Sequence, residues 1–63
     1  MKPNLAQLAQ TRKKLAADLI VIRQSSMRAG NQGDFRTVGK LTMEAARLNQ
    51  AISDLEAQEL ASL

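Results

Sequence analysis

Three features of this 63-residue chain predict an all-α fold, an antiparallel helical hairpin that dimerises into a four-helix bundle. Apolar residues recur at alternating three- and four-residue steps in both halves. Four turn-forming residues, Gly30-Asn31-Gln32-Gly33, separate the halves. More large apolar residues are present than the inner seam of one hairpin can hold. Each feature rests on helical geometry: a heptad track lays one stripe along a helix, and a short loop folds two such stripes together.

The first track is Leu5, Leu8, Leu15, Leu19 and Ile22, with Arg12 in the one polar place, and the second is Val38, Leu41, Ala45, Leu48, Ile52 and Leu55. A turn centred on residues 30–33 would set Leu8 against Leu55, Leu15 against Leu48 and Ile22 against Leu41. Helix 1 is expected over about residues 4–29. Asn4 can cap its free N–H groups, Gln7 stands where a capping box needs it, and Pro3 blocks extension backwards. Gly30 is expected to supply the left-handed position that ends helix 1. Helix 2 is expected over about 34–60, with Asp34 as its N-cap where the helix dipole favours negative charge. Gly39 lies inside it and costs about 1 kcal/mol relative to Ala unless another backbone approaches there. The whole chain, 1–63, reads as one domain.

Composition removes many functions. The chain has no Cys and no His, so thiol chemistry, the usual zinc ligands and the commonest general base are missing. The remaining Ser, Thr, Asp and Glu are spread along helices with no base to activate a nucleophile. No catalysis, no cofactor and no metal are expected. No apolar run approaches a membrane span, and no apolar signal core follows Met1, so no membrane is expected and the cytoplasm is the expected compartment.

The net charge of +3 conceals an asymmetry. Residues 1–30 hold Lys2, Arg12, Lys13, Lys14, Arg23 and Arg28 against Asp18, a balance of +5. Residues 31–63 hold Arg36, Lys40 and Arg47 against Asp34, Glu44, Asp54, Glu56 and Glu59, a balance of −2. Attraction between the helices and solvation account for much of this pattern. It also makes Arg12, Lys13, Lys14, Arg23 and Arg28 the candidate contacts for nucleic acid. Successive helical residues turn by ~100°, however, so the basic triplet fans around the helix instead of forming a stripe. Arg12 sits at a core-type position and needs solvent or an acid, Asp54 or Glu56, for its head.

The apolar surplus points to protein binding. The run Leu19-Ile20-Val21-Ile22 is apolar on nearly every side for one turn, and such a helix needs more than one neighbour. Ile20, Val21, Met27, Phe35 and Met43 are therefore the candidate partner-binding residues. A lone large apolar residue is more often core, so Phe35 also reads as an apolar plug on Met27 and Val38, and the methionines read first as adaptable core fillers, with partner binding as their role if they are exposed. A chain this small draws little stability from one seam, so a homodimer is expected. The layout resembles that of small plasmid-encoded repressors that form dimeric four-helix bundles and bind paired RNA loops, with no shared motif. The expected function is that of a small non-catalytic regulator or adaptor that binds another protein, with an inhibitor of the kind phages and plasmids encode as one form. The alternative is a dimeric RNA- or DNA-binding bundle that uses the basic first helix.

Overall fold

The computed structural model describes residues 4–63, so the expected stop at Pro3 lies outside the described residues. Two helices of equal length pack as a hairpin: α1, Leu5–Asn31, and α2, Phe35–Ala61. The hairpin is slender, with principal extents of 46 × 16 × 14 Å. Asn4 caps α1 as its side chain implied, its Oδ1 accepting from the Gln7 backbone N–H at 2.7 Å.

The turn departs from expectation in a way that moves everything after it. Helix α1 does not stop at Ala29; it continues through Gly30 to Asn31. Gly33, with φ of 74°, takes the left-handed position assigned above to Gly30. The hydrogen bonds explain the choice. The Asp34 N–H donates to the Ala29 carbonyl at 2.9 Å and the Gly33 N–H to the Gly30 carbonyl at 3.1 Å. Those two bonds make a Schellman motif, which needs its left-handed residue one place before Asp34. Asp34 then begins α2 directly: its carbonyl accepts from the Val38 N–H, and its carboxylate accepts from the backbone and hydroxyl of Thr37.

Moving the turn centre two residues along the chain slides the helices by four, because each helix shifts by two in opposite directions. The Gly30 α-carbon faces Val38, whose Cγ2 lies 3.8 Å from where a Gly30 Cβ would stand. Counting along both helices from that approach, the seam residue nearest the level of Ile22 is Ala45, that nearest Leu15 is Ile52 and that nearest Leu8 is Glu59. The expected pairs with Leu41, Leu48 and Leu55 are thus each displaced by one helical turn. A one-turn slide exchanges one heptad seam position for the other, so the stripes still meet.

Burial is shallow. Leu8, Leu19 and Ala29 are the buried apolar residues among those described, and α2 buries none fully. Of the eleven apolar residues of the two tracks, Leu8 and Leu19 reach that state; Leu15, Ile22, Val38, Leu41, Ala45, Leu48, Ile52 and Leu55 are half-buried, and Leu5 is exposed. One neighbour can cover only one side of a cylinder. No described helix is long and apolar enough to cross a membrane.

Leu19→Ala should therefore cost about 2–5 kcal/mol, and Leu15→Ala clearly less, in chemical denaturation; equal losses would contradict this uneven burial. The two turn glycines should respond with opposite sign. Gly33→Ala forces a Cβ into left-handed backbone and should cost about 1–2 kcal/mol. Gly30→Ala, with room for the methyl, should be neutral or gain up to about 1 kcal/mol. Thermal melts of the pair check the assignment.

Candidate interaction surfaces

A hairpin of two helices has two broad faces, one on each side of its seam, and helical periodicity assigns residues to them. One face takes Ala6, Ala9, Lys13, Ala16, Ile20, Arg23 and Met27 from α1. From α2 it takes Phe35, Gly39, Thr42, Ala46, Ser53, Glu56 and Leu60. The other takes Lys14, Asp18, Val21 and Arg28 from α1, and Lys40, Glu44, Arg47 and Asp54 from α2. On this second face Asp18, Val21, Ile22, Glu44, Arg47 and Leu48 line a shared cleft across both helices. The first face is mainly apolar or small, with three charges. The second mixes four cations with three anions.

The candidate partner-binding residues are all exposed: Ile20 57%, Val21 60%, Met27 70%, Phe35 75% and Met43 62%. Phe35 is therefore no plug at the turn, and the methionines fill no core in the single hairpin. Nor do the five form one patch. Ile20, Met27 and Phe35 share the apolar face, joined by Leu60 at 71% exposure. Val21 stands over the cleft on the charged face, and Met43 points outward from α2, away from the seam. Leu60 was outside the candidate set; its spacing of seven from Ser53 and fourteen from Ala46 on α2 was the available signal.

The basic residues of α1 separate even more widely. Arg12 stays in the seam, where its Nε donates to Glu59 Oε1 at 2.7 Å. The expected acids were Asp54 and Glu56, and the correction follows from the register. With the helices slid by one turn, Arg12 lies level with Leu55, and the seam position beyond it is Glu59. That place was legible as the next step of the track after Ile52 and Leu55. The hydrogen bond and charge of Glu59 hold the Arg12 guanidinium more firmly protonated than usual, with a smaller contribution from Glu56. Of the other candidates for nucleic-acid contact, Lys13 and Arg23 lie on the apolar face and Lys14 and Arg28 on the charged one. No face collects more than two of the five.

No group of three side chains able to hold a metal ion occurs among the described residues. Comparison of the chain with protein-family models, curated proteins and solved structures gives no match.

Asp34 is the other perturbed charge. Its carboxyl is held below its ordinary range, chiefly by the hydrogen bond from the Thr37 hydroxyl, then by the Thr37 backbone N–H, with Lys40 adding a little. A depressed carboxylate pKa adds stability that is present above the unfolded-state pKa, about 4, and is lost as pH falls through the folded value. Stability measured from pH 6 downward should accordingly fall below about pH 4, and Asp34→Asn should remove part of that dependence. An unchanged acid slope in the variant would remove Asp34 from the account.

Proposed function

We propose that the chain is a small non-catalytic regulatory or adaptor protein of the cytoplasm. It acts by binding another protein through a helical surface, and it works as a homodimeric four-helix bundle. The observation that carries this reading is the exposure of six large apolar side chains, Ile20, Val21, Met27, Phe35, Met43 and Leu60, each more than half open. Surface area points the same way. The hairpin exposes 5011 Å², whereas a compact monomer of this length exposes about 4,000 Å². A standard protein interface covers about 800 Å² on each partner. The excess is what one such interface would remove.

The work divides between the faces. The apolar face suits a second copy. The cleft lined by Val21, Ile22 and Leu48, with Asp18, Glu44 and Arg47 at its sides, offers a protein partner an apolar floor inside a ring of either charge. Nucleic acid is the weaker reading. Phosphate binding needs cations gathered on one surface, and here Arg12 is engaged by Glu59 while the other four divide between opposite faces.

A paired measurement separates the two. Protein captured from the native host by the tagged chain should persist after nuclease treatment, and Val21→Asp should reduce it by about tenfold while leaving the helical signal intact. Changing Lys13 and Lys14 to Gln should leave capture unaltered. Tight binding of DNA or RNA that weakens steeply with salt and is lost on the lysine changes would overturn the protein-binding reading.

A further inference from the structure

The apolar face has a regular order of sizes. At three heights along the hairpin, a large side chain on one helix stands beside a small one on the other. Near the turn Met27 stands within about half a turn of Gly39, at mid-length Ile20 within about half a turn of Ala46, and at the open end Leu60 within about half a turn of Ala6. A Cβ built on Gly39 meets nothing within 4 Å, so that notch is open in the single hairpin.

We propose that a second copy of this chain covers the apolar face in a two-fold dimer whose axis runs along the hairpin. Both turns then lie at the same end, and α1 of each copy lies against α2 of the other. The inference rests on the dimer reading above and specifies its face and its arrangement.

Symmetry carries the first argument. A two-fold axis along the length leaves every height unchanged, so each residue meets residues of its own level in the other copy. Met27 enters the notch at the partner's Gly39, Ile20 meets the partner's Ala46, and the partner's Leu60 covers Ala6. The size order that leaves one face ridged and grooved makes two such faces interlock. An axis across the hairpin would place α1 on α1 and α2 on α2, and level no longer matches level.

Charge is the second argument. Helix α1 carries Arg12, Lys13, Lys14, Arg23 and Arg28 against Asp18, while α2 carries Arg36, Lys40 and Arg47 against Glu44, Asp54, Glu56 and Glu59. Laying α1 on α2 sets excess positive charge on excess negative charge, and brings Lys13 within one turn of the partner's Glu56. Laying α1 on α1 opposes like charge. Arg23 is the one cation on this face with no acid at its level, and its long stem can carry the head to the edge of the interface. Area is the third. A face of 46 by 16 Å gives on the order of 700 Å² per copy, close to the standard interface.

The chain has no Cys, so Gln32→Cys in the exposed turn gives a single site for a nitroxide label. Pulsed dipolar spectroscopy on the labelled full chain should then report a separation under about 30 Å, set by helices packed 8–10 Å apart plus the two labels. A separation near or beyond the 46 Å length of the hairpin would overturn the arrangement while leaving the dimer. Light scattering that shows a folded monomer would overturn the dimer itself. The face is tested separately: Ile20→Glu should weaken dimerisation by about tenfold or more, since it buries a charge, whereas Val21→Glu on the charged face should not. The reverse order would assign the interface to the other face.

Discussion

The register of this hairpin is fixed by one short stretch of backbone, Ala29 to Asp34, and the rest of the structure takes its partners from that stretch. Asp34 belongs to both helices. Its N–H closes the end of α1 on the Ala29 carbonyl, and its carbonyl and carboxylate open α2 on Val38 and Thr37. With no residue to spare between the two motifs, the helices cannot slide against each other without breaking a cap. Level pairing along the full 46 Å follows from this junction, as does the order of large beside small on the apolar face.

The two helices, the Asn4 and Asp34 caps and the stripe that forms the seam were legible in the sequence because each depends on local periodicity or on a side chain that bonds its own backbone. The level of each pair was not. Gly30 and Gly33 both offer left-handed freedom, and composition alone does not say which is used. The choice is made by hydrogen bonds from Gly33 and Asp34 to carbonyls three and five residues back. A heptad track tolerates a slide of one turn, so the stripe itself carries no warning. The acid partner of Arg12 was missed for the same reason, since it was sought in the wrong register. The candidate surface was legible as a list of surplus apolar residues. Its division between faces required knowing which residues of α1 and α2 lie on the same side of the seam.

Shallow burial ties folding to association. With Leu8, Leu19 and Ala29 buried and the rest of the seam half-covered, a single hairpin has little apolar contact with which to offset the conformational entropy of two 27-residue helices. Interactions that cover the apolar face would then add to the stability of the fold as well as to affinity, and the two become functions of concentration together. In the proposed dimer, the chain would be an assembled surface at one concentration and largely unfolded at another.

The Arg12–Glu59 bond joins residues 47 apart in the chain, at the end of the hairpin farthest from the turn. Contacts near the turn close short loops and form readily, whereas this one closes nearly the whole chain. Apolar stripes alone would accept several alignments of nearly equal energy. A hairpin zipped one turn out of step would separate Arg12 from Glu59 and leave the Glu59 carboxylate without its cation. The polar pair at the far end therefore favours the same alignment that the turn sets at the other.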